Sequence, residues 1–391
     1  MTLLLLPSIV ALSAGVCAFS FMTANPVVFY IIFFLTAFLG SATLPITWSK
    51  AIVNNFDKHR GIALGVALTG TGLFGFLAPT YIQTFINNVG WRGAYIAVGI
   101  LPLIFSLPLA FFLFRDSKEE KALAASGQQS GLVKTLGKSI VLATALFAAM
   151  TWIIMTFGPV WVIVLMLAFL GAYVLFVYWG SKREVDRASE LPGMTVRETF
   201  QDYRFWVLFF SFLILGAVIS GIIANSKFIL LDKGYTDITA TGLFTGAGLI
   251  GLSTLIGRLI GGWLVDHFWA PMIAFVFMSV PAIGCYILMQ NYGVGMNALA
   301  LIFVGLAAGV EFDMMAYLTS RYFGMKSYGR LYGIVYAAYG LGAGTSPIVF
   351  NILRGDDLDY ARVLSFAAVG FVLGGAILLS LGKYRGFEDA H

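Results

Sequence analysis

Lys50, Arg258, Glu311 and Asp313 lie inside long apolar runs of the sequence, and Asp266 closes one of them. A charge at the centre of a bilayer-spanning helix costs about 3 kcal/mol or more, so each needs a partner or a task. Arg258 stands eight residues before Asp266, which at helical rise places it about 12 Å in from the end of its run. Glu311 stands nine residues before Ser320, at a similar depth of about 13 Å. Arg258 can therefore meet Glu311 or Asp313 if their helices are neighbours. Two chemistries fit. In one, an aqueous cavity lets Arg258 hold a substrate anion while a carboxylate takes a proton. In the other, a structural ion pair locks two helices. Residues two apart cannot share a helix face, so Glu311 and Asp313 are expected to point to different surroundings, one to a cavity and one to a packing seam. Asp313, Tyr317 and Arg321 follow i, i+4, i+8 spacing and form one stripe. Lys50 lies about one turn from the end of its run, close enough for its stem to carry the ammonium to the interface.

A second feature is Gly257-Arg258-Leu259-Ile260-Gly261-Gly262-Trp263-Leu264-Val265-Asp266-His267. Glycines at this spacing let two helix backbones approach closely. A carboxylate at the end of the run can cap the N-terminus of a neighbouring helix and so favour one state of a gate. Gly257, Gly262, Asp266 and Arg321 are the candidate gating residues. Small-xxx-small pairs recur at Gly61/Gly65, Gly242/Gly246, Gly257/Gly261, Gly305/Gly309 and Gly340/Gly344, and are read as packing surfaces.

The elements that position these residues follow from composition. Of 391 residues 59% are hydrophobic and 11% charged, against about 25% charged in a soluble domain. Twelve apolar runs are read as helices at roughly 3–22, 27–54, 61–87, 92–114, 139–157, 160–180, 205–226, 237–265, 271–290, 297–319, 329–352 and 361–382. They are apolar throughout, whereas strands of a membrane barrel would alternate. Of the 24 Lys and Arg, 17 fall in one set of alternate loops and 5 in the other. The richer side is read as cytoplasmic, with both termini on it. The net charge of +5 is thereby assigned to loop anchors, and no nucleic-acid partner is expected. Residues 115–138 and 181–204 are polar linkers around a charge-free two-helix hairpin. Thr195 and Glu198 have capping-box spacing. His59, His267 and His391 are too scattered for a metal site, and Cys17 and Cys285 lie in apolar runs. No metalloprotease, P-loop or nucleophile-elbow pattern is present. No cofactor is implied, and an enzyme is not expected.

The chain resembles transporters of the major facilitator superfamily, with Gly257 to Asp266 similar to the second-half copy of that superfamily's cytoplasmic loop motif. His267 and Phe268-Trp269-Ala270 replace the usual basic continuation. Within the superfamily it resembles the monocarboxylate transporter and oxalate–formate antiporter group. The similarity lies in His59-Arg60-Gly61-Ile62-Ala63-Leu64-Gly65, Gly70, Gly72, Pro79 and Gly90-Trp91-Arg92-Gly93-Ala94-Tyr95, and in Glu311-Phe312-Asp313, Tyr317, Arg321-Tyr322-Phe323-Gly324 and Tyr332-Gly333. In monocarboxylate members an arginine on the helix matching 237–265 is associated with carboxylate binding, and Arg258 occupies that place.

The resemblance implies an all-α, multi-pass helical bundle of the major facilitator fold. By alignment of the motifs, residue 1 falls near the family's third helix, so the first half is expected to be incomplete, with the extra hairpin in the mid-loop. The expected organisation is a partial four-helix bundle at 1–114, linkers and hairpin at 115–204, and a six-helix bundle at 205–391. The implied function is secondary transport of small organic anions, foremost monocarboxylates, by alternating access, coupled to protons or to a counter-anion. Arg258 and Tyr317 would bind substrate, and Glu311 and Asp313 would carry protons or pair with Arg258. The implied place is a cell membrane, as in a bacterial inner membrane. The alternative is a transport-inactive membrane protein acting as sensor or scaffold.

Overall fold

The computed structural model describes residues 2–53, 59–113, 192–236, 246–290, 292–355 and 360–385, with a few short pieces between those stretches. The expected hairpin at 139–157 and 160–180 and most of the two linkers fall outside the described residues. The described elements are helices: Thr2–Ala18 (α1), Pro26–Leu39 (α2), Pro45–Val53 (α3), Arg60–Leu101 (α4), Leu107–Leu113 (α5), Val196–Phe200 (α6), Tyr203–Asp232 (α7), Ala247–His267 (α8), Ala270–Gln290 (α9), Val294–Phe323 (α10), Tyr328–Arg354 (α11) and Tyr360–Leu378 (α12). Seven helical stretches among the described residues are long and apolar enough to cross a membrane.

Three expected boundaries change, one of them the run from 237, whose helix α8 starts only at Ala247. The run at 27–54 is not one helix: it breaks after Leu39, passes through a short 3-10 turn at Ser41–Thr43 and restarts at Pro45. Leu44 is extended, at φ −64° and ψ 156°, because the ring of a following proline disfavours helical geometry in the residue before it. The run at 61–87 and the first part of 92–114 join into α4 but are kinked apart at Gly90, whose φ of 77° and ψ of 170° suit a residue without Cβ; the rest of 92–114 continues as a π-helical turn at Pro102–Ser106 and α5.

Packing divides the chain into two units, one of residues 1–47 and 82–165 and one of residues 48–81 and 166–391. This division differs from the expected boundary at 114, because the glycine face of residues 61–75 packs on α8. In the first unit, Ser8 Oγ donates to Leu39 O at 2.6 Å and Ser13 Oγ to Gly99 O, so α1 is tied both to α2 and to the later part of α4. Phe19 stacks on Tyr95 with ring centroids 5.4 Å apart.

In the second unit, α7 packs on α11 and α12, α8 on α10, and α9 on α10 and α12. Helices in lipid gain no hydrophobic drive from one another and associate through close packing. Small residues provide it here. Gly216 faces the Tyr339 carbonyl, Gly257 the Leu306 carbonyl, Gly305 the Ile250 carbonyl and Gly309 the Thr254 carbonyl. Gly340 departs from the expected pattern, with nothing among the described residues within 4 Å of a Cβ placed there.

One end of this unit is strapped. Met194 N donates to Phe323 O at 2.8 Å and Met325 N to Pro192 O at 2.9 Å. Thr195 and Glu198 form the expected capping box, and the Thr195 N–H holds the Glu198 carboxyl below its ordinary pKa. Segment 379–385 lies across the same end, its carbonyls taking bonds from Tyr203, Arg204, Trp269 and Tyr322.

Candidate functional site

Arg258 on α8 is 1% exposed. Gly65 of α4 and Gly309 of α10 press directly on its backbone, so the guanidinium extends between helices rather than into lipid. Its Nη1 donates to Asp313 Oδ1 at 2.9 Å. Two residues earlier on α10, Glu311 turns to α11 instead: Tyr339 Oη donates to Glu311 Oε1 at 3.0 Å and lies 3.2 Å from Ser220 Oγ on α7. The two carboxylates thus face different helices, as their spacing requires. Both residues are 4% exposed.

The cluster is incompletely bonded. Arg258 Nε, Asp313 Oδ2 and Glu311 Oε2 are all buried without a hydrogen-bond partner among the described residues. Leaving a buried polar group unmet costs about 1–3 kcal/mol, more when it is charged. Beside Glu311, Phe312, Tyr336 and Tyr339 form an aromatic wall with centroids 5.0–6.3 Å apart. Phe312 and Tyr336 stay half-buried.

Tyr317 does not join Arg258. Its hydroxyl donates to Val265 O at 3.0 Å and accepts from Arg321 Nε and Nη2, each at 3.1 Å. The stripe therefore splits, with Asp313 at the buried pair and Tyr317 with Arg321 at the end of α8. There Asp266 takes two N–H groups of the first turn of α4: Gly61 N reaches Oδ1 at 2.8 Å and Ile62 N reaches Oδ2 at 3.0 Å. These N–H groups have no partner inside their own helix, and a carboxylate there also meets the positive end of the helix dipole. Gly61 and Gly262 face each other's backbone, and a Cβ on Gly61 would also stand 2.9 Å from Asp266 Oδ1. The cap needs glycine at both places.

Arg60, placed in a loop by the sequence reading, is 6% exposed and bonds Phe56 O at 2.9 Å and Ser320 Oγ at 3.5 Å. Tyr339 and Ser220 were not singled out either. A signal existed for Tyr339, because Tyr328, Tyr332, Tyr336 and Tyr339 recur at spacings of four, four and three along one face of α11. Lys50 sits half-buried in the last turn of α3, its stem 4.0 Å from where a Gly329 Cβ would stand.

A family model described as Major Facilitator Superfamily matches residues 2–181 and 143–347. The chain belongs to the Major Facilitator Superfamily. It is 30% identical over 206 residues to an "Uncharacterized 38 kDa protein in 23S RNA operon" of Thermoproteus tenax, covering 52% of this chain and 50% of that protein. It is 25% identical over 324 residues to "Probable sulfoacetate transporter SauU" of Cupriavidus necator, covering 83% and 64%. A 48-residue stretch is 42% identical to Monocarboxylate transporter 13 of Rattus norvegicus, covering 12% and 11%. The chain spans half the length of the first of these relatives and less than two thirds of the other two. Among solved structures, a bacterial homologue of the human drug peptide transporters PepT1 and PepT2 aligns over 97% of this chain and 83% of that one, with a TM-score of 0.56 at 17% identity. That likeness concerns the fold. The described helices are those of a multi-pass helical membrane protein with the fold of that superfamily.

Proposed function

We propose that this transporter carries small organic anions, foremost monocarboxylates, across a cell membrane by alternating access, with both termini on the cytoplasmic side. The observation that carries the reading is the sealed Arg258–Asp313 pair at 2.9 Å, with unmet polar atoms on both partners. A guanidinium matches a carboxylate in shape and charge, and in a dry interior that attraction is far stronger than in water. Asp313 holds the place a substrate carboxylate would take. Protonation of Asp313 weakens its hold and frees Arg258, which links anion uptake to a proton; exchange against a second anion frees Arg258 in the same way. The printed names of the sulfoacetate and monocarboxylate relatives support an anionic cargo.

In reconstituted vesicles, Arg258→Ala abolishes uptake of labelled monocarboxylates while membrane protein levels stay near wild type. Loss of the protein instead of its activity assigns Arg258 to structure. Asp313→Asn leaves residual uptake that no longer responds to an imposed pH gradient. An unchanged pH response removes Asp313 from the coupling step.

A further inference from the structure

The structure holds two buried carboxylates against one buried guanidinium, and among the described residues it leaves Arg258 Nε and one oxygen of each carboxylate unmet. Asp313 occupies Nη1 of Arg258, and Arg258 Nε lacks an acceptor. Glu311 takes its bond from Tyr339 on Oε1, and its Oε2 lacks a donor. Glu311 and Arg258 also lie within electrostatic reach of one another. A ligand that completes the cluster must present an acceptor to Arg258 and donors to the open carboxylate oxygens, Glu311 Oε2 foremost.

We infer that Glu311, with the Ser220 and Tyr339 hydroxyls and the wall of Phe312 and Tyr336, forms a subsite for a positively charged amino group, so that the favoured cargo is a zwitterionic amino-carboxylate. The inference rests on Arg258 taking the carboxylate. Charge balance supports it. With Arg258, Asp313 and Glu311 ionised the cluster carries one net negative charge, and a bare carboxylate adds a second in a medium that penalises unpaired charge. A zwitterion adds none. Its ammonium supplies Glu311 Oε2 with a charge-assisted donor and has two protons left for hydroxyl oxygens such as those of Ser220 and Tyr339, which lie 3.2 Å apart. The half-buried ring faces of Phe312 and Tyr336 suit the remainder of the ammonium's surroundings, because an aromatic face attracts a cation.

The test compares matched pairs that differ only in the amino group: glycine with acetate, alanine with propionate, and phenylalanine with 3-phenylpropionate. Labelled uptake into vesicles is followed at equal internal and external pH 7.5. In the wild type, at least one amino acid is taken up about tenfold faster than its partner, equivalent to about 1.4 kcal/mol. Glu311→Gln brings that pair within about twofold by slowing the amino acid alone, and Arg258→Ala stops both members. Ser220→Ala is the second variant should Glu311→Gln fail to fold, and it slows the amino acid several-fold without slowing its partner. Transport confined to the des-amino acids sinks the ammonium subsite while leaving Arg258 as carboxylate binder. A preference that survives Glu311→Gln sinks it too. Amino-acid uptake untouched by Arg258→Ala, or no uptake of any of the six compounds, overturns the carboxylate reading along with it.

Discussion

Asp266 shows how much one side chain can hold. Its two oxygens satisfy Gly61 N and Ile62 N at the start of α4, and the Tyr317 hydroxyl, steadied by Arg321, fastens the preceding carbonyl of Val265. Asp266→Asn keeps the size but replaces one acceptor with a donor facing an N–H. Loss of a helix cap of this kind costs about 1–2 kcal/mol. The variant is expected to unfold at lower temperature in detergent and to change transport rate, while its affinity for a transported anion stays the same. A changed affinity with unchanged melting would place Asp266 in binding instead. At this scale the sequence was informative where depth and spacing alone decide. Arg258 and the carboxylates of α10 were matched by depth, and Asp266 by its place at a run's end. Tyr317 was assigned to substrate because spacing says which residues share a face, not which neighbour that face meets. Its hydroxyl turned out to lie 3.0 Å from Val265 O.

At the scale of elements, glycine decides which helices touch. Gly65 leaves a hypothetical Cβ only 2.5 Å from the Arg258 carbonyl, a backbone atom that cannot swing aside, whereas Gly340 has nothing within 4 Å. Gly65→Ala is therefore expected to remove most folded protein from the membrane, and Gly340→Ala to leave both level and uptake near wild type. Quantifying the two variants by size-exclusion chromatography in detergent checks this, and equal yields would contradict the packing role of Gly65. The small-residue pairs were visible in the sequence, but both contain glycine at helical spacing, so the pattern could not separate them. The break between α2 and α3 was also legible, since Pro45 restricts Leu44, but the unbroken hydropathy of 27–54 hides it. Asp202 is another joint that depends on distant chain: it caps α7 through Arg204 N and lies 2.5 Å from Arg385 Nη2, a partner 183 positions away in sequence.

For the molecule as a whole, hydropathy was sufficient for the class of fold, because lipid leaves the backbone few ways to satisfy itself. The six C-terminal runs appear as α7 to α12, although α7 runs on to Asp232 and α8 starts at Ala247, ten residues after the expected 237. The grouping of 48–81 with the C-terminal helices was not legible, since it depends on tertiary fit and not on the length or polarity of any run. The buried cluster has the same character. Three ionisable side chains could be named from sequence, while Tyr339 and Ser220, which complete the bonding of Glu311, needed the rotation of α7 and α11 about their own axes. The transport variants of Arg258 and Asp313 and the matched cargo pairs belong to this scale, because they read the cluster through movement of solute across a sealed vesicle.

The contact of α4 with α8 is backbone laid on backbone, with Gly61, Gly65, Gly72 and Gly75 set against Gly262, Arg258, Leu255 and Gly251. Bulky side chains that interdigitate must ride over one another before two rods can slip, whereas smooth rods can glide lengthwise by small steps without parting. Such a joint resists being pulled open yet offers little friction along its length, so temperature should speed its displacement only gently.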